Sequence, residues 1–355
     1  MISTNRGKAV VVFFAAVAAG VPGDLRAEEA IRLETIVVTA TRVEQKVSEQ
    51  ASAVSVVTRD EIELKSPSVA GDVLQELPGV NVQRSGTPGS RENVKIRGGK
   101  STHVLVMIDG FQVNSPTSGE FDIGSFPLDG FERVEVVRGA QSALYGSNAM
   151  GGVVNFIPRK GKEGKRAGVR VEGGTHASLD WGGFAEAGGK RGNVHVSAGG
   201  FESDGLLPND DASIVSVLGS GEAVIGEKSR LHAVAFRTEM EKGIPIDFTP
   251  RDVNHRFNRR GFLRGVRWET EVSKSFALEA SGAVHEEDLE DKDPADPGES
   301  GPVEFTIKER KTIVRLLGRF SPSPVSTTFV GGEYEKDRAT DRDNFGLDLA
   351  ASRFN

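Results

Sequence analysis

Cysteine is absent from the 355-residue chain, which excludes disulfide scaffolds, cysteine nucleophiles and thiolate metal sites. The formal net charge is -7 with both signs spread along the chain. It lacks the clustered basic face that nucleic-acid binding requires, so no nucleic-acid partner is expected. Both phosphate-loop patterns are missing: no G-x-G-x-x-G occurs, and in "GGKST" at 98 to 102 Val94 stands where the first glycine would be needed. The six histidines, at 103, 176, 195, 232, 255 and 285, show no close ligand spacing. No convergent acid, base or nucleophile set is present, so an enzyme is not expected. Proline is scarce, 15 against 43 glycines. Glycine in this excess, without a collagen period, suits many turns and closely packed strands.

What is present begins with a basic start at Arg6 and Lys8, followed by an apolar run from Ala9 to Val21. At about 13 residues the run is too short to span a bilayer and has the length of a signal-peptide core. Residues 1–27 read as a signal peptide, with Ala27 the last residue before cleavage and a site after Ala19 as the alternative. A short membrane anchor is the rival reading. No later segment is apolar enough for a transmembrane helix, so any membrane residence must come from strands.

Two textures follow. Residues 44–161 read as a compact α+β domain of ordinary size. Val54 and Val56 alternate as in a strand, Val69, Val73, Leu74 and Leu77 fall at helical spacing, and Pro78 and Gly79 end that helix. "VNVQRSG", "ENVKIRGG", "HVLVMIDGFQVN" and "GFERVEVVRG" read as short strands. Residues 162–355 alternate at period two instead, as in "SFALEASGAVHEE", where Phe276, Leu278, Ala280, Gly282 and Val284 share a face. About nine or ten such segments have the length of transmembrane strands. Short turns at 190–193, 226–229, 272–274 and 321–324 alternate with long connections at 202–213, 240–258 and 288–301. That rhythm belongs to a membrane barrel with tight turns at one end and long loops at the other.

The densest signal is "ERVEVVRGAQSALYGSNAMGGVVNFIPRKG" at 132 to 161, where glycines allow tight turns, "SALYG" suits one helical turn and "GGVVNFI" returns to strand. Together with "ETIVVTATR" at 34 to 42, "LPGVNV" at 77 to 82, "VKIRGG" at 94 to 99 and "VLVMIDGFQVN" at 104 to 114, it resembles the TonB-dependent outer-membrane receptors, and within them most closely the vitamin B12 (cobalamin) receptor branch.

The resemblance implies a plug domain folded inside an antiparallel transmembrane β-barrel in the outer membrane of a Gram-negative bacterium. It identifies Glu34, Thr35, Ile36, Val37, Val38, Thr39 and Ala40, within the periplasmic segment 28–43, as a TonB box. There an inner-membrane partner, TonB with its energising complex, captures a strand edge to edge. A simple first strand of the plug is the alternative. Plug loops carrying Ser85, Gly86, Ser90, Arg91, Gln112, Asn114 and Ser115 are expected to touch a bulky nutrient, cobalamin before a ferric siderophore. Arg97, Glu132, Glu135 and Arg138 are expected to meet a polar barrel wall. Asp204, Asp210, Asp211, Asp247 and Asp252 are candidate calcium ligands. No other cofactor is expected. Plugged transporters of this kind have barrels of about 22 strands, so the chain reads as the N-terminal portion of a receptor with an incomplete wall. A transport-incompetent remnant or a plug-only periplasmic module is the rival.

Overall fold

The structure is a computed structural model. It describes the backbone of β1 (Ile36–Val37) and β2 (Gln45–Lys46), then residues 52–245, 252–295, 301–323, 326–344 and 348–354. The signal segment, Glu34, Thr35, residues 38–40 and Asp247 lie outside the described residues.

β3 (Ala53–Thr58) runs straight into α1 (Arg59–Lys65) because Thr58 caps it. The Glu61 carboxylate accepts the Thr58 backbone N–H at 2.7 Å while the Thr58 hydroxyl accepts the Glu61 N–H at 3.4 Å, a reciprocal pair that satisfies two orphan donors. Sequence pattern did not reveal α1, since Ile62 is its one buried residue and leaves no apolar periodicity. α2 (Ala70–Leu74) buries Ala70, Gly71, Val73 and Leu74 and ends before the expected Pro78 stop. Gly79, at φ +72°, then turns the chain into β4 (Val80–Arg84).

β4 pairs with β5 (Glu92–Ile96) as a separate antiparallel ribbon. β6 (Val104–Ile108), β7 (Phe111–Gln112), β8 (Phe131–Arg138), the helical turn α3 (Ser142–Tyr145) and β9 (Gly152–Pro158) complete the plug. Its sheet has the order β3-β8-β9-β6-β7, with β6 and β9 parallel. Both faces of β6 and β9 are buried, so they read as continuous apolar runs.

The wall is one antiparallel sheet of ten strands in chain order. They are β10 (Gly164–Gly173), β11 (Leu179–Gly189), β12 (Gly192–Ser203), β13 (Ala212–Ile225), β14 (Ser229–Gly243), β15 (Arg256–Ser273), β16 (Phe276–Asp293), β17 (Val303–Ser323), β18 (Ser326–Asp343) and β19 (Asp348–Phe354). β10 and β19 are its edges. The expected short turns all join strands at one end. The connection expected at 240–258 is shorter than read, because β14 runs to Gly243 and β15 starts at Arg256. β15 to β18 reach 18 to 21 residues, well beyond the roughly 9–11 needed to cross a bilayer, and their surplus length stands at the long-loop end.

Plug and wall share a core. Leu218, Val234, Phe236, Leu263 and Ala283 of the wall belong to the same buried cluster as Phe126, Phe131 and Phe156 of the plug. The expected polar wall also has an apolar part: inward positions of β13 to β16 present apolar side chains to the plug core. Glycine makes that approach possible. A side chain at Gly130 would meet the Leu218 Cβ at 2.9 Å, and one at Gly265 would strike the Phe111 ring.

Candidate binding site

At the long-loop end a cavity of about 1070 Å³ opens between plug and wall. Its floor is the β4–β5 loop and the segment 115–122. Its side is the inward face of β14 to β17 with Leu206, Leu207 and Ile244 from the loops above. Ser85, Gly86, Ser90, Arg91 and Ser115, all singled out from sequence, line it.

Gln112 and Asn114 do not line it. Gln112 is 5% exposed on β7, and Asn114 is 1% exposed. The Asn114 amide oxygen accepts the Val106 N–H at 2.7 Å, and its nitrogen donates to Val104 O and Gly119 O, both at 3.0 Å. Both amide donors are therefore used in holding the 115–120 segment against β6, which leaves Asn114 a bracing role. Sequence could not separate it from Ser115, one residue further on.

Each cation lining the cavity is already paired. Arg84 bonds Asp72 at 2.6 Å and also Glu92, and Arg91 bonds Glu120 at 2.5 Å. Lys242 bonds Asp210 at 2.7 Å, and Arg259 reaches Asp122 at 3.1 Å and also Glu287. Among the described residues, the cavity thus offers apolar surface from Phe257, Leu289, Phe305 and Ile307, hydroxyls and neutralised charge. Glu309 lines it as well, accepting from the Ser115 hydroxyl at 2.9 Å.

Several of these pairs tie plug to wall. Lys242 donates to the Thr87 hydroxyl at 2.7 Å, and Thr87 donates to Asp210 at 2.8 Å. Arg259 also donates to Asp122 O at 2.8 Å. Lower down, Asp109 lies 2.7 Å from His232 Nε2, and Asp129 accepts from Arg170 at 2.9 Å. Burial works to raise the Asp109 carboxyl, but Arg267 and His232 overcome it and hold the group below its usual range. In Asp122 burial wins over Arg259 and the carboxyl is raised. Burial pushes the fully buried Glu92 up to about 7 despite Arg84. Asp210 is held low because Lys242, the Leu206 N–H and Thr87 outweigh its desolvation.

Of the charges expected to face the wall, Glu132 approaches it through Arg159. Arg97 is exposed in a left-handed turn at φ 51°. The Arg138 guanidinium donates to Pro78 O, and Glu135, fully buried, accepts from Arg133 on its own strand at 2.8 Å. Glu132 approaches Arg159 at 4.0 Å, and Arg159 in turn reaches Glu186 of the wall at 3.9 Å. Strand alternation alone could not show which end of β8 meets the wall.

Among the described residues, the candidate calcium ligands Asp204, Asp210, Asp211 and Asp252 do not gather into one cage. Asp210 is spent on Lys242 and Asp211 on Arg256 at 2.7 Å, and Asp204 is exposed. Asp252 instead joins His255 and Asp293, all buried, with ligand atoms within 4.8 Å of one another. That grouping joins the loop before β15 to the end of β16, 41 residues apart in sequence, so no spacing rule could show it. Of the proposed TonB box, Ile36 and Val37 form β1, paired with Lys46 and Gln45 of β2.

Residues 46–153 match the family model described as the TonB-dependent Receptor Plug Domain. Over 159 residues, 44% of this chain, the protein is 40% identical to the vitamin B12 transporter BtuB of Vibrio vulnificus (strain YJ016), and the match spans 26% of that relative. The fold is similar to the ferripyoverdine receptor of the Pseudomonas aeruginosa outer membrane, with TM-score 0.73 and 14% identity over 89% of this chain and 47% of that one. It is also similar to BauA, the ferric preacinetobactin receptor of Acinetobacter baumannii, with TM-score 0.69 and 14% identity over 90% of this chain and 53% of that one. The copper transporter OprC gives 0.69 and 17% over 84% and 48%. The chain therefore spans about half the length of these structures. Residues 46–153 thus match a TonB-dependent receptor plug, and the strands built against it share the fold of these outer-membrane receptors.

Proposed function

We propose that the receptor to which this chain belongs takes up a scarce, bulky nutrient from outside the cell, cobalamin before a ferric siderophore, and is energised through residues 34–40 by TonB. No bond chemistry is involved. Ligand settles in the cavity between plug loops and wall, the periplasmic handle is pulled, and the plug rearranges. The observation that carries the ligand preference is the pairing of Arg84, Arg91, Lys242 and Arg259. An anionic chelate that drew away Lys242 or Arg259 would leave the buried Asp210 or Glu287 carboxylate uncompensated. A bulky ligand of low net charge finds apolar and hydroxyl surface without that cost. The 40% identity to a vitamin B12 transporter supports the same choice.

The test uses labelled cyanocobalamin and ferric citrate on cells that lack their own cobalamin receptor and express the receptor containing this chain. Cyanocobalamin uptake is expected, and deletion of residues 34–40 is expected to abolish uptake while leaving surface binding intact. Unchanged uptake after the deletion removes the energised mechanism, and uptake of ferric citrate alone removes cobalamin.

A further inference from the structure

Six carboxylates line the cavity, and five of them have a basic partner. Glu120 pairs with Arg91 at 2.5 Å, Asp122 and Glu287 with Arg259, and Asp210 with Lys242 at 2.7 Å, while Asp291 lies 2.5 Å from His255. Glu309, the sixth, makes no ion pair among the described residues. It stands on the inward face of β17 and is 6% exposed. One carboxylate oxygen, Oε1, accepts from the Ser115 hydroxyl at 2.9 Å. The other, Oε2, is buried without a hydrogen-bond partner among the described residues, a costly state for a charged acceptor.

The surroundings add to that charge and do not cancel it. In the β16–β17 register Glu309 lies directly opposite Glu287, a placement that sets like charges against each other. The Arg259 guanidinium already pairs with both Glu287 and Asp122. Lys311, the next inward residue of β17, pairs with Glu335 at 3.1 Å and approaches Asp337 at 3.7 Å. Asp122, Glu287 and Glu309 therefore share the single charge of Arg259. On the plug side Ser115 completes half of the Glu309 carboxylate, and the other half is left for a donor that arrives through the cavity.

We propose that Glu309 is the specificity-determining contact of the cavity: it accepts from an N–H donor of the nutrient, a primary carboxamide or an ammonium, and turns away a ligand that presents a carboxylate in its place. This rests on the nutrient's entering the cavity and not on its being cobalamin. The side-chain carboxamides of a corrinoid supply such a donor, and so does the free ammonium of a cationic ferric hydroxamate. The bond to the ionised carboxylate is charge-assisted. Phe305 and Ile307, on the same strand and lining the same cavity, offer apolar surface to the rest of the ligand.

The receptor containing this chain, purified in a neutral detergent, is titrated with two matched pairs of probes. One pair is cyanocobalamin and its monocarboxylic acids, each with one side-chain carboxamide hydrolysed. The other is ferrioxamine B, which carries a free ammonium, and its N-acetyl form. In a pair that binds, the donor-bearing member is expected to bind at least about tenfold tighter than its partner, for cyanocobalamin than one of the acids. Glu309→Gln keeps an acceptor for Ser115, and is expected to weaken the donor-bearing member and to strengthen that acid, to which its amide can donate. The preference then falls below about threefold. Glu286→Gln, on the outward face of β16, is expected to leave it unchanged. If Glu309→Gln fails to fold, Glu309→Asp, which draws the charge back by one methylene, is expected to reduce the preference about threefold. Binding of the ferrioxamine pair alone, with its preference lost in Glu309→Gln, removes cobalamin as the nutrient and supports Glu309 as the contact. Equal affinity for both members, a preference that survives Glu309→Gln, or binding of neither pair overturns the proposal. So does an equal loss for both members in Glu309→Gln, which marks a brace acting through Ser115.

Discussion

Phe236 of the wall and Phe126 of the plug meet with ring centroids 4.8 Å apart. Phe131 lies 5.6 Å from the same wall ring, so Phe236 fills a slot in the plug's own core. Its truncation opens a cavity shared by both parts. Phe236→Ala is expected to cost about 3–5 kcal/mol, and Phe236→Leu less than about 1.5 kcal/mol if the slot repacks. Limited proteolysis should show the plug cut sooner in the alanine variant. Equal cleavage of all three proteins would mean that the ring adds nothing to plug retention.

Much of this arrangement could be read from the chain. The glycine-punctuated segment 132–161 and the period-two alternation beyond residue 162 gave the plug and the wall, because each is a local pattern. Phe236 was not legible as a plug contact. It occupies an inward wall position like Val234 and Thr238, and only the fold shows which inward positions meet apolar plug surface. The same holds for Thr87, Asp210 and Lys242, separated by 123 and 32 residues, whose pairing no spacing rule anticipates. Asp210 looked like a metal ligand because its future partner was invisible.

That partner makes a second prediction. Lys242 is 1% exposed and Asp210 4%, so removing the ammonium alone leaves a buried carboxylate. Lys242→Met is expected to cost about 3–5 kcal/mol. Adding Asp210→Asn should recover most of that loss, giving a coupling measurable by a double-mutant cycle in denaturant. Additive losses would show that the pair is not energetically linked.

Asn114 and Ser90 separate bracing from ligand contact. Asn114→Ala strips partners from the Val106 N–H and from two carbonyls, and is expected to lower stability by about 1–3 kcal/mol. Ser90 lines the cavity. Ser90→Ala is expected to leave stability within about 0.5 kcal/mol while weakening cyanocobalamin binding in titration calorimetry. The reverse pattern would move Asn114 back among the ligand contacts.

Glu92 supplies a pH dependence whose sign follows from its environment. The carboxyl is fully buried, bonded on one oxygen by Arg84, with Oε2 lacking a hydrogen-bond partner among the described residues. Burial raises it from 4.5 to about 7. The folded state therefore holds a proton that the unfolded chain releases, so this group's stabilisation is complete below about pH 4.5 and is lost as pH rises through about 7. The full swing is about 3 kcal/mol. Glu92→Gln cannot titrate, so the stability difference between wild type and this variant should shift against the wild type by that amount from pH 4.5 to 8. Thermal melts of both proteins across that range measure it. A difference that stays flat, or that shifts in favour of the wild type, would mean that the Arg84 ion pair and not burial governs the charge of Glu92.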